Sequence, residues 1–226
     1  MIFSSPRLQN ILRNLTIFLI NSFVLKTLFP WSLFLISTKA LDYRWGIFNQ
    51  LNAPFWFEFL LGILILDFSL FFWHFINHKI KFFWRFHQAH HSDDVFDPTT
   101  AIRFHIGELS LSFVYKCILV GLLGLQPFSV LVFEVIFTVF NFFIHSRIIL
   151  PNKALIEFEK IFVSPRMHLI HHSVEVAEQQ KNFGTVFSFW DHQCKSFLSK
   201  NVSSDYPTGR LGKKNNLLTF LFKLDK

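Results

Sequence analysis

Eight histidines fall into three tight clusters, His74/His78, His87/His90/His91 and His168/His171/His172. Written as spacings they are HxxxH, HxxHH and HxxHH. Neutral imidazole carries a lone pair near pH 7, which makes histidine the commonest metal-ligating side chain. Separations of three and four put side chains on one face of a helix. Each cluster also stands beside a long apolar segment. Together they suffice for a dinuclear metal site, so a fold of this chain must bring the three clusters to one place.

The apolar segments set the class of fold. Hydrophobic residues make up 51% of the 226 and charged residues only 16%, against about 25% charged in soluble domains. The clearest segment, 54–76, starts at Pro54 and ends in the first histidine pair; crossing a bilayer takes about 20 apolar residues. Segment 11–38 contains Asn14, Asn21, Lys26 and Pro30 and is expected to be bent or partly interfacial. With Arg7 and Arg13 ahead of it and no small-residue cleavage pattern after it, it reads as a retained span. The stretch 109–146, interrupted by Gly121, Gly124 and Pro127, reads as a helical hairpin of segments 109–126 and 127–146.

The expected fold is therefore all-α, one domain over 1–226 with four membrane segments. Residues 77–108 and 147–200 would form a helical cap, helical around Lys153–Phe162, that holds the histidines; 201–226 would be a basic tail. Residues 147–226 carry 12 Lys/Arg against 7 Asp/Glu. That excess puts the cap and both termini on the cytoplasmic side, near anionic headgroups. The net charge of +7 comes with no basic helix or stacking motif, which argues against a nucleic-acid partner. Two cysteines, Cys117 and Cys194, argue against a disulfide framework.

On a helix, Asp67, Phe71, His74 and His78 share one face, so Asp67 approaches the site from its apolar side. Carboxylates inside a membrane are costly and usually functional or paired. Asp67 is expected to accept a hydrogen bond from an imidazole N–H and so fix a ligand tautomer. Around the other clusters the chain reads Trp84-Arg85-Phe86-His87-Gln88-Ala89-His90-His91-Ser92 and Ser164-Pro165-Arg166-Met167-His168-Leu169-Ile170-His171-His172-Ser173. Adjacent histidines there can serve two metals, with the three of each cluster facing one centre.

These blocks resemble the fatty acid hydroxylase superfamily, also called the sterol desaturase family, over about Asp67–Phe197. The resemblance also covers Arg103-Phe104-His105 with Glu108, His145-Ser146, Asn182-Phe183-Gly184 and Trp190-Asp191. It implies a non-haem di-iron centre ligated by His74, His78, His87, His90, His91, His168, His171 and His172, with His145 as a further ligand. His105 matches a recurrent family histidine of less defined role, and His192 stands where the family often has Arg and is read as non-ligating. Asn182 and Gly184 are expected to build a turn against the site, and Asp191 to brace a histidine. The chain departs from the family pattern at Arg147, Gln180 and Cys194-Lys195-Ser196. These departures remove no ligand, but they leave the subfamily and substrate open.

Imidazole suits Zn, Cu, Fe and Ni alike, so two iron ions as the cofactor rest on the resemblance. The activity it implies is O₂-dependent hydroxylation or desaturation of a lipid entering from the bilayer. The chain has no dinucleotide fingerprint and no cysteine set for an iron–sulfur cluster. A separate reductase, ferredoxin or cytochrome b5-like electron donor is therefore expected, docked on the basic face. The alternatives are a metal transporter, a zinc hydrolase and an inactive family member. A transporter should place histidines within several spans, and a zinc hydrolase usually carries the adjacent Glu of HExxH.

Overall fold

The computed structural model describes residues 5–51, 53–148, 152–203 and 205–210. Among these it is all-helical, with two isolated bridges, Phe162–Phe187 and Ser173–Thr208, and no strand. The helices are α1 Pro6–Leu28, α2 Leu33–Asp42, α3 Phe55–Lys79, α4 Lys81–His87, α5 Ile106–Leu123, α6 Pro127–Ile144, α7 Asn152–Phe158, α8 Pro165–His171, α9 Val176–Gln179 and α10 Phe189–Gln193. Among the described residues, four segments are long and apolar enough to cross a membrane: Pro6–Asp42, α3, α5 and α6.

The helix ends follow from local chemistry. Ser5 Oγ accepts a hydrogen bond from the Leu8 amide, and Pro6 starts α1 with its φ already fixed. The helix stops at Leu28, just before Pro30, whose ring disfavours helical geometry in the residue ahead of it. Ser32 then caps α2 through the Leu35 amide. The expected bent segment 11–38 is thus two helices spanning 6–42, broken between them. Segment 109–126 begins earlier, at Ile106, because His105 caps α5 by accepting from the Gly107 amide at 2.9 Å. Gly124, at φ +66°, closes α5, and Pro127 opens α6. A Cβ on Gly124 would lie 2.3 Å from the Trp45 carbonyl oxygen, so the turn of the hairpin packs backbone against backbone.

α3 packs on α6 and α2 on both α5 and α6. Their shared core is Leu33, Phe48, Leu66, Leu70, Val120, Leu125, Val130 and Phe133. Large apolar side chains such as Phe23, Trp56, Leu122 and Val139 point outward. Outward apolar faces on helices of this length suit a lipid solvent, in which backbone polar groups must be satisfied within the helix. In the connecting segments, α7 occupies the first half of the helix expected around Lys153–Phe162 and gives way at Glu159 to a turn. Residues 201–203 and 205–210 are irregular apart from the Thr208 bridge, and 204 and 211–226 of the expected tail lie outside the described residues.

Candidate metal centre

The ends of α3 and α6, the turn after α4, and α8 meet at one end of the bundle. Nine buried histidines gather there in two groups: His74, His78, His87, His91 and His171; and His90, His145, His168 and His172. Within each group the candidate ligand nitrogens lie within 4.8 Å of one another. All nine histidines expected as ligands are in these groups, and His105 and His192 are in neither. The adjacent histidines of each HxxHH cluster turn to different groups, in line with the expectation that they can serve two metals, so the three of a cluster do not share one group. The outer pairs, His87/His91 and His168/His172, each join one group, whereas the inner His90 and His171 cross to the other.

Hydrogen bonds at Nδ1 set the tautomers. His74 donates to the Phe183 carbonyl at 2.9 Å and His171 to the Lys181 carbonyl at 2.6 Å. In the other group His90 donates to the Arg103 carbonyl at 3.2 Å and His145 to the Asn141 carbonyl at 2.7 Å. His87 donates to Glu108 Oε1 at 2.7 Å. A neutral imidazole protonated at Nδ1 presents a bare lone pair at Nε2.

Those lone pairs point at one another. The Nε2 atoms of His74 and His171 are 2.9 Å apart, and those of His90 and His145 are 3.2 Å apart. With no proton between them such pairs repel. Metal–imidazole bonds of about 2.1 Å at a right angle would put two nitrogens about 3 Å apart. Buried ring nitrogens of His78, His87, His91, His168 and His172 have no hydrogen-bond partner among the described residues. Two cations fit this donor set. Burial also pushes the His145 imidazole down to about 4 and His171 to about 3, so both are neutral and ready to ligate at pH 7.

The loop 181–191 orients two ligands of the first group at once. Asn182 takes the left-handed conformation at φ +58°. Its Nδ2 donates to the Met167 and Leu198 carbonyls at 2.9 and 2.7 Å, and its Oδ1 accepts from the Leu198 amide at 2.8 Å. This turn presents the Lys181 and Phe183 carbonyls to His171 and His74. Among the described residues Asp191 makes no hydrogen bond to a histidine, so any bracing of one is indirect. It accepts from the Phe183 and Gly184 amides, both at 2.8 Å, and holds the loop from behind. Burial raises its carboxyl above the usual range. A Cβ on Gly184 would lie 2.8 Å from Asp191 Oδ2, which leaves glycine as the residue that fits.

Asp67 differs from expectation. It accepts from Trp190 Nε1 at 2.7 Å and, more weakly, from Thr185 Oγ1 and the Phe187 amide, not from an imidazole. Asp67 points from α3 toward the 185–190 loop, and the carboxylate that does receive an imidazole proton is Glu108. Its signal in the sequence was a charged residue in the first turn of an apolar helix, three residues after His105. His105 serves as the cap of α5, and His192 stacks on Phe197 with ring centroids 3.9 Å apart. Arg147, one of the departures, donates to the Phe96 carbonyl at 3.2 Å, and the Phe96 ring lies 5.5 Å from that of His145.

An apolar cavity of about 320 Å³ leads from between the helices to both groups. His74, His87, His90, His145 and His168 line one end; Phe18, Leu25, Leu70, Leu109 and Phe137 line the walls.

The fold and site together define an all-helical protein with four candidate membrane spans and a buried polyhistidine centre suited to two metals. Residues 59–196 match the fatty acid hydroxylase family model, and the chain belongs to that family. It is 29% identical over 188 residues to the ornithine lipid hydroxylase OlsE of Rhizobium tropici, covering 83% of this chain and 55% of that protein. It is 26% identical to the alkylglycerol monooxygenase of Homo sapiens, over 76% of this chain and 38% of that one. With human cholesterol 25-hydroxylase it shares 28% identity over 58% of this chain and 48% of the other. The chain thus spans about half or less of the length of these curated relatives. No solved structure matches it.

Proposed function

We propose that this chain is a membrane-bound oxygenase with two iron ions that hydroxylates or desaturates a lipid, using O₂ and electrons from a separate donor. The observation that carries the reading is the set of buried histidines with facing Nε2 atoms that lines an apolar cavity. Five histidines would hold one iron and His90, His145, His168 and His172 the other. Bound there, an iron pair supplies stepwise reduction of O₂ and oxidation of an unactivated C–H bond, chemistry that zinc lacks.

The chain's own residues supply orientation and dryness. Glu108 and the carbonyls of Arg103, Asn141, Lys181 and Phe183 hold imidazole protons away from the centre. Phe183 covers the first group, its ring 5.3 Å from that of His78. The cavity's volume is at the low end of the range for small-molecule pockets, and its walls suit an acyl or alkyl chain that slides in between helices. The relatives, by name, act on ornithine lipid, alkylglycerol and cholesterol, which supports a lipid substrate without selecting one. The surplus of Lys/Arg after residue 146 supports a cytoplasmic site reached by an acidic electron carrier.

The test uses the full chain in nanodiscs. Metal analysis should give two irons per chain. With reductant, an electron-donor partner and isotope-labelled O₂, lipid extracts should gain labelled hydroxyl or lose two hydrogens. Zinc in place of iron, with hydrolysed lipid, would assign a zinc hydrolase instead; metal uptake into vesicles without lipid oxidation would assign a transporter.

A further inference from the structure

α1 lies outside the residues that match the family, yet its buried face is a row of amides. Asn10, Asn14 and Asn21 are buried there together with Ile17. A buried amide needs partners, above all on a helix apolar enough to enter a membrane. The partners come from the segment between the second histidine cluster and α5. Asn10 Nδ2 donates to Asp93 Oδ2 at 3.3 Å. Asn14 Nδ2 donates to Asp93 Oδ2 and to Thr99 Oγ1, both at 3.0 Å. Asn14 Oδ1 accepts from Arg103 Nη1 at 3.0 Å, and Asn21 Nδ2 donates to the Phe104 carbonyl at 2.7 Å.

Both residues that α1 grips beyond Asp93 and Thr99 touch the same ligand. The Arg103 carbonyl accepts the Nδ1 proton of His90. The Phe104 ring stacks on the His90 imidazole, centroids 4.3 Å apart and planes 7° apart. Arg103 is wholly buried and ties the cluster further, through Nε to the Ala89 carbonyl at 3.2 Å and Nη2 to Ser92 Oγ at 3.0 Å. The tautomer and the ring plane of His90 thus depend on two residues whose positions are set from α1.

We propose that Asn14 and Asn21 are positioning residues for the four-histidine group, acting through Arg103 and Phe104 to aim His90 Nε2 at its metal. α1 is then a component of the metal centre, as well as a wall of the cavity. The inference rests on the reading that each group holds one iron. Removing a group that orients a ligating histidine typically costs about 10–100-fold in metal affinity. The loss should fall on one iron of the two, because the first group takes its orientation from Glu108 and from the 181–183 turn.

The experiment loads the full chain in nanodiscs with Fe(II) alone and reads iron per chain during titration with a chelator. Wild type should retain two irons, and Asn14→Leu and Asn21→Leu should each lose one at about 10–100-fold lower chelator. Thr16→Val is the control, since Thr16 is exposed and its Oγ1 donates to the Leu12 carbonyl of its own helix; it should keep two irons even if it lowers the melting temperature. Should Asn14→Leu fail to fold, Phe104→Leu tests the same ring without touching the amide row and should show the same selective loss. Retention of both irons at wild-type affinity by Asn14→Leu, Asn21→Leu or Phe104→Leu overturns the proposal, as does an equal loss in Thr16→Val. Fewer than two irons in wild type would instead overturn the dinuclear reading itself.

Discussion

Glu108 Oε1 accepts a hydrogen bond from His87 Nδ1 at 2.7 Å, with both side chains almost fully buried. His87 Nε2, on the other side of the ring, has no hydrogen-bond partner among the described residues. Glu108 also accepts from Asn77 Nδ2 at 3.3 Å, so one carboxylate links α3, α4 and α5 at the mouth of the first histidine group.

Glu108→Ala should therefore weaken one iron by about 10–100-fold. Glu108→Gln, which keeps an acceptor oxygen for His87, should lose less. Chelator titration followed by metal analysis reads both.

His145→Ala should remove the ligand that faces both His90 and His168, its Nε2 lying 3.2 and 3.0 Å from theirs. One iron should be lost or bound far more weakly, and lipid oxidation should fall to background. His192→Ala should leave iron content and activity near wild type, and full iron content in His145→Ala would count against ligation by His145.

Acid should destabilise the metal-free chain. His145 and His171 titrate near 4 and 3 in the fold, against 6.5 for the free side chain. Below pH 6.5 the unfolded chain binds protons that the folded chain refuses, so the stability present above that pH is lost as pH falls toward 4. Each of the two contributes a slope of about 1.4 kcal/mol per pH unit in that window. Melting temperatures of iron-free protein between pH 7 and about 4 check this; a flat profile would contradict it.

Asp67→Leu should strand the Trp190 indole N–H and cost about 1–3 kcal/mol. Since Asp67 touches no imidazole, iron content should survive in the folded fraction. Loss of iron without loss of thermal stability would argue for a closer role in the centre.

The long apolar helices and the gathering of the eight clustered histidines were legible because each leaves a mark in the sequence, apolar length in one case and helical spacing of imidazoles in the other; His145 was named on the family resemblance alone. What orients the ligands was less legible. Four of the five Nδ1 partners are backbone carbonyls, which carry no side-chain signature. Asp67 was misjudged because its partner Trp190 lies 123 residues away, a contact no local periodicity reveals. The division of each HxxHH cluster between two groups depends on how α4 and α8 face each other. Asn14 and Asn21 read as interruptions of an apolar segment, although with Asn10 they mark one face of a helix.

His90 and His91 turn to opposite groups, and so do His171 and His172. Each pair is joined by a single peptide unit, whose Cα–Cα length of about 3.8 Å does not stretch. Two such units, from two separate segments, tie the two groups together. A shift of either segment is thus felt by both groups at once, and substitutions that loosen the surrounding loops should disturb the two sites together.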